Sequence, residues 1–302
     1  DKFLQSSTTN SESAASAMVN GTTVTAIDGG FRVVETSINA GELYFNGRTY
    51  VSWNFKAAGY ANTFNVLENG STTSSATAAG VGLGTGTNLS TYSISANRDA
   101  GFSVINYSPN GSPETVPHGL NEKPQLVLTK SLNTVSNWYC LTDLIDGSVD
   151  WLFLNTTDAK VDTSDTLTNT TFSTAWGSGS VIAYAFHSVE GFSNFGSYVG
   201  TGADTNAIVT GFEPAFLLVK QTNTARNWYV MDNKRNPENP KSKLLFPNDA
   251  GAEYTGSGDT FVDFLENGFE ITPIAGDAIN QSGGTYIYMA FAADPTAVEP
   301  SL

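Results

Sequence analysis

GFSVINYSPNGSPETVPHGLNEKPQLVLTKSLNTVSNWY (residues 101–139) and GFSNFGSYVGTGADTNAIVTGFEPAFLLVKQTNTARNWY (residues 191–229) are one pattern written twice. They overlay at an offset of about 90, with a slip of one or two residues in the loop. Gly101 and Phe102 fall on Gly191 and Phe192, Tyr107 on Tyr198, and Gly111 on Gly202. Gly119, Pro124 and Lys130 fall on Gly211, Pro214 and Lys220. Asn137, Trp138 and Tyr139 fall on Asn227, Trp228 and Tyr229. Chance does not keep so many turn residues and rings in one order, so the chain is built by internal repetition.

The correspondence extends outward in both directions. VIAYAF (181–186) matches YIYMAF (286–291), and YVSWNF (50–55) reads as a third instance. The start of the chain lengthens that third instance. Lys2, Phe3 and Leu4 align with Lys243, Leu244 and Leu245, Glu12 with Glu253, and Gly30 and Phe31 with Gly268 and Phe269. Residues 1–57 therefore read as the back half of a first repeat whose front half is missing. Residues 58–99, rich in Gly, Ser and Thr, read as a linker or arm. Residues 100–188 and 189–302 are the next two repeats, the last with a short C-terminal tail. A back half alone leaves sheet edges and one core face open. Cover for Phe31, Tyr44, Trp53 and Phe55 is expected from a segment upstream of Asp1, or from a partner subunit that exchanges strands through the arm.

Period-2 patterning predicts strands. QLVLTK (125–130) and AFLLVK (215–220) are apolar runs preceded by Pro and closed by Lys, and NWYCL (137–141) and NWYVM (227–231) follow after a hairpin-length gap. TFVDF (260–264) alternates before Glu266, Asn267 and Gly268 turn the chain. Each repeat has room for about seven or eight strands, the size of a small β-sandwich. The fold class is all-β, as tandem sandwich modules.

Composition supports that class. Of 302 residues, 40% are hydrophobic and only 14% charged, so polarity comes from Ser, Thr, Asn and Gly. These residues favour tight turns over long helices. With 14 basic against 29 acidic side chains the net charge is −15, which argues against nucleic acid as a partner and against adhesion to an anionic membrane. No apolar run is long enough for a transmembrane helix, so no membrane insertion is expected. A single cysteine, Cys140, permits no intrachain disulfide and points to a bacterial or viral product folded in a reducing cytosol.

The residue types that carry chemistry differ between repeats. His118 and His187 have Thr210 and Ala292 as counterparts, and Cys140 has Val230. Structural roles are expected for all three. Asp143, Asp146 and Asp150 lack the spacing of a twelve-residue calcium loop and read as loop solvation. GVGLGTG (80–86) lacks the lysine and the strand–helix context of a phosphate loop. No catalytic residue, metal or cofactor is expected. The aromatic pairs Trp138–Tyr139 and Trp228–Tyr229 are the candidate binding residues. Neighbours on a strand face opposite sides, so one ring of each pair points outward unless that face is also covered.

AFHSVEGFSNFGSYVGTG (185–202), TGFEPAFLLVKQTNTARNWYVMD (210–232) and GGTYIYMAFA (283–292) resemble a family of bacteriophage virion proteins. RTYVSWNFKA (48–57) and the run at 101–120 resemble the same family's preceding repeat. Its members occur often in phages of marine bacteria and cyanobacteria and are labelled tail-fibre-like or uncharacterised structural proteins. The resemblance implies a particle component and carries over no catalytic residue. A tail fibre or adhesin contributing to host attachment is the leading expectation. It would be a homo-oligomer, as a trimer, with other virion proteins and a host surface glycan or receptor as partners. It would sit on the virion exterior after synthesis in the bacterial cytoplasm. A capsid-decorating or cement protein is the alternative, and a surface-polysaccharide depolymerase the remote one.

Overall fold

The computed structural model describes residues 2–3, 6–14, 23–27, 30–34, 49–55, 64–65, 72–73, 86–111, 114–174, 178–203, 205–255, 261–272 and 276–295. Tyr44 and the side chain of Phe31 lie outside the described residues. Six short strands come first: β1 (Lys2–Phe3), β2 (Ser13–Ala14), β3 (Thr23–Ile27), β4 (Gly30–Val34), β5 (Phe64–Asn65) and β6 (Thr72–Thr73). The block over the second repeat holds β7 (Leu89–Asn97), β8 (Phe102–Pro109), β9 (Glu114–Pro117), β10 (Leu126–Ser131), β11 (Tyr139–Thr142), β12 (Asp150–Phe153), β13 (Val161–Asp162), β14 (Thr171–Thr174) and β15 (Val181–Phe186). The third repeat holds β16 (Ser193–Val199), β17 (Asn206–Val209), β18 (Pro214–Gln221), β19 (Trp228–Asp232), β20 (Lys243–Leu244), β21 (Tyr254–Thr255), β22 (Val262–Leu265), β23 (Gly268–Ile271) and β24 (Thr285–Ala292). A four-residue helix, α1 (Gly276–Ile279), precedes β24.

The two blocks share one topology. In the second repeat β8, β15, β10 and β11 lie side by side, and β9 pairs with β14 in a separate layer. In the third repeat β16, β24, β18 and β19 have the same order, and β17 pairs with β23 in the second layer. Registers agree as well. Leu128 faces Cys140 across the ladder, as Leu218 faces Val230. Two glycine positions explain part of the sequence match. Gly101 (φ 62°) and Gly191 (φ 71°) enter β8 and β16 in the left-handed region, and Gly119 (φ 72°) and Gly211 (φ 90°) follow β9 and β17 there. That conformation is costly for any residue with a Cβ.

The first repeat's strands fit the same scheme. β1 pairs with β2 by Lys2–Ala14 and Phe3–Ser13, as β12 pairs with β13 by Asp150–Asp162 and Trp151–Val161. The β3–β4 hairpin closes on Ile27–Gly30, as β22–β23 closes on Leu265–Gly268. Residues 49–55 differ from the expected strand: they carry no ladder, although their rings lie against the other two repeats.

One expectation is corrected. The stretch 58–99 is not all linker, because β7 occupies Leu89–Asn97 and pairs with β8 along its length. Its sequence, LSTYSISAN, alternates correctly, but Ser and Ala stand where large apolar residues usually mark a strand. Ile94 and Ala96 are nevertheless buried.

Both faces of the main sheets are apolar. In the second repeat Ile105, Tyr107, Val127, Leu141 and Ala183 point toward Val116 and Phe172 of the β9–β14 layer. In the third, Leu217, Val219, Tyr229, Met231 and Tyr286 pack on Phe264, Phe269 and Ile271. The alternate residues form a third core between the repeats. There Phe102, Leu126, Trp138, Cys140, Leu152 and Phe186 meet Phe195, Leu218, Trp228, Val230, Ile287 and Met289. Trp228 sits in this seam, and its indole N–H donates to the Phe153 carbonyl of the preceding repeat at 2.9 Å.

Trp228→Ala is expected to lower stability by about 4 kcal/mol in denaturant unfolding, the usual cost of emptying a buried indole site. Trp228→Phe keeps most of the packing and loses the bond to Phe153, so about 1 kcal/mol of further loss beyond the packing change is expected.

Candidate functional site

The candidate site is the junction where one repeat hands over to the next, because the matched Lys and Trp residues meet there. Lys130 and Lys220, the next-to-last residues of β10 and β18 in the β10–β11 and β18–β19 hairpins, have fully buried side chains. Burial lowers both ammonium pKa values from 10.5 to about 8. Their partners are oxygen atoms of loops. Lys220 Nζ donates to the carbonyls of Arg226 (2.8 Å) and Thr157 (3.0 Å). Lys130 Nζ donates to the carbonyls of Ser136 and Thr9, both at 3.2 Å, and to Ser136 Oγ. Thr157 and Thr9 belong to the preceding repeat in each case. Backbone bonds repeat the pattern. Arg226 N donates to Thr157 O and Lys160 N to Thr222 O, while Ser136 N donates to Thr9 O and Glu12 N to Leu132 O. One docking contact thus occurs twice, once from first repeat to second and once from second to third.

An asparagine secures each hairpin. Asn155 Oδ1 accepts the Trp138 amide at 2.7 Å, and Asn248 Oδ1 accepts that of Trp228 at 2.8 Å. Their Nδ2 groups donate to Asn137 and Asn227. Sequence reasoning did not single out Asn155. The repeated Asn-Trp pair was the available signal for its role.

The aromatic pairs do not present an outward ring as expected. Trp138 is 7% exposed and Trp228 1%, because the seam covers the face that would otherwise meet solvent. Tyr229 lies in the core of its own repeat, and Tyr139 is half-buried, edge-on to Trp151 and Phe153. These four residues join repeats and layers together.

The titratable residues are also built into the fold. His118 is fully buried, and burial lowers its pKa from 6.5 to about 4, so the ring is neutral. Its Nδ1 accepts the Leu120 amide, which leaves Nε2 to donate to Thr168 O at 3.2 Å. Thr210, its counterpart, ties its own turn through Oγ1 to Phe212 O. His187 contacts Ser188 O and Asn121 Oδ1. Cys140 is buried among Leu128, Leu152 and Trp138, and burial drives its thiol pKa far above the usual value, so no thiolate forms.

Asp150 departs from the expected solvated loop. It is fully buried, and Asp146, Asp150 and Asp162 approach within 4.8 Å of one another. Lys160 Nζ sits among them at 2.7, 2.9 and 2.7 Å. The cation these carboxylates hold is therefore the lysine of their own hairpin. Bonds from Lys160 hold the Asp146 and Asp162 carboxyls below the usual range, while burial pushes that of Asp150 up. Asp143 pairs with Lys123. In the third repeat Glu253 stands in the place of Lys160 and pairs with Arg235 at 2.9 Å, so sign and partner are exchanged together. A shallow cavity of about 440 Å³ is lined by Asn121, Glu122, Lys123, Gln125, Asn169 and Ser188. Gln125 within it is engaged with Ser188 N and Phe195 O.

Two outcomes are expected here. His118 titrates near 6.5 in the unfolded chain and about 4 in the folded one, so the folded state loses stability as pH falls through that window. The loss is at most about 3 kcal/mol. In His118→Gln, the drop in urea midpoint from pH 7 to pH 4.5 should shrink accordingly. Lys160→Met leaves Asp150 buried without its cation and should cost about 3 kcal/mol. The double variant Asp150→Asn/Lys160→Met should recover part of that loss.

No curated protein and no solved structure matches the chain. Residues 76–295, which take in the second and third repeats and their seam, match the family described as a domain of unknown function, DUF7483, and the chain belongs to that family.

Proposed function

We propose that the chain is a virion structural protein of the tail-fibre or adhesin type, contributing to host attachment at the particle exterior. One observation carries this reading: the reactive side chains are engaged in architecture. Cys140, His118, Lys130, Lys220 and Asp150 are all fully buried, and they pack or bond within the repeats and at their junctions. An exterior particle component must keep its form without cofactor turnover, and interlocked β repeats with doubly covered sheets suit that demand. The sequence resemblance to virion proteins points the same way. Partners in this reading are other virion proteins, copies of the same chain and a host surface glycan or receptor. Among the described residues no helix is long and apolar enough to cross a membrane.

A capsid-decorating role is the second reading. It is favoured by the closure of three repeats on one another, since a threefold arrangement within one chain suits a threefold position on a shell. A surface-polysaccharide depolymerase is the remaining one.

Antibody labelling of particles in electron micrographs separates these readings. Label at the tail is expected. Label spread over the capsid lattice would favour the decorating role, and particles without label would overturn both. Shortened chains after incubation of the protein with host polysaccharide would favour the depolymerase.

A further inference from the structure

The docking contact between successive repeats occurs twice, and among the described residues a third loop of the same build has no hairpin seated on it. That loop spans residues 246–253. Asn248 holds the Trp228 amide as Asn155 holds that of Trp138, and the β20–β21 pair Lys243–Thr255 stands where Asp150–Asp162 stands in the second repeat. Phe246 then takes the place of Phe153, whose carbonyl accepts an indole N–H, and Ala250 that of Thr157, whose carbonyl accepts an ammonium. Asp249, Ala250, Gly251 and Ala252 are exposed, and the described residues bring no donor to the Ala250 carbonyl.

The repeats also close into a circuit. The first meets the second through Thr9 and Lys130, and the second meets the third through Thr157 and Lys220. The third returns to the first. The Phe55 ring lies 5.0 Å from Phe291 and 5.8 Å from Phe186, and Trp53 lies 5.6 Å from Phe216. Phe55, Phe186 and Phe291 hold the same place in their repeats, so equivalent rings converge. Trp53 and Phe55 nevertheless remain 37% and 41% exposed.

We propose that loop 246–253, which Arg235 connects to Trp53 by pairing with Glu253 while lying over that ring, is a docking surface for the front half of a further repeat. The occupant is a β-hairpin segment with a lysine in the place of Lys130 and Asn-Trp-Tyr on its return strand. Its ammonium meets the Ala250 carbonyl, repeating the contact that Lys130 and Lys220 make, and its indole N–H meets the Phe246 carbonyl as that of Trp228 meets Phe153. A second copy of this chain is the weaker occupant, because the hairpins of Lys130 and Lys220 are both seated already.

The test adds such a segment to the whole chain. Residues 100–148 are duplicated immediately ahead of Asp1, where they continue into the first repeat's own back strands. The extended protein should unfold about 5 °C or more above the 302-residue chain. Acrylamide should quench Trp53 less, read as the difference between each protein and its Trp53→Phe variant. Lys→Met and Trp→Ala substitutions at the duplicated copies of Lys130 and Trp138 should abolish both gains. An unchanged midpoint with the added segment cut freely by protease would overturn the proposal. So would concentration-dependent self-association of the 302-residue chain that protects loop 246–253 from hydrogen exchange, since a second copy would then be the occupant.

Discussion

Covering both faces of a β-sheet is the constraint from which the rest of this structure follows. An antiparallel sheet usually shows one face to water and alternates apolar with polar residues. Here the strands carry apolar residues on both sides. Leu217 and Val219 face one way on β18 and Phe216 and Leu218 the other, and β24 divides its rings and aliphatic groups in the same manner. A single repeat with such a sheet would expose an apolar face larger than soluble monomers tolerate. Each repeat is therefore completed by a neighbour, and the seam is as much a core as either interior.

Burying a lysine at the seam follows from the same geometry. Where each hairpin meets the preceding repeat, Lys130 and Lys220 are buried, and their ammonium groups need partners. A lysine offers three donors on a flexible stem and reaches oxygens from two repeats at once. Desolvation opposes this arrangement, which is why the ammonium groups of Lys130 and Lys220 lose protons more readily than exposed lysines. The bonds at the junction offset that cost only when both repeats are in place. The lysine thus ties the folding of one repeat to the presence of another.

How much of this was legible in the sequence depended on the range of each signal. The repeats were legible because Gly101, Gly119 and their counterparts need left-handed backbone, and few residues substitute there. The strands of the main sheets were legible from alternation. Alternation identifies which residues share a face, but it does not say whether that face meets water. The burial of Trp138 and Trp228 was therefore out of reach. Strand β7 escaped because Ser and Ala packed against a neighbouring strand resemble a linker in composition. Asp150 escaped for a different reason: its cation, Lys160, lies ten residues on and is brought back by the β12–β13 hairpin. Three-body contacts of that kind depend on register, which composition does not carry.

The oxygens that receive the buried lysines at the repeat junctions belong to the main chain. A main-chain carbonyl is present whatever side chain stands above it, so the receiving loop can change residue type without losing the contact. Thr9 and Thr157 hold that position, and Ala250 holds its equivalent in the third repeat. The lysine has no such latitude, since shortening it or removing its charge breaks the reach across the seam. Mutational tolerance at each junction is thus lopsided, permissive on the loop that gives and strict on the hairpin that takes. Copies of a duplicated module can then drift apart in sequence on one side while still fitting together on the other.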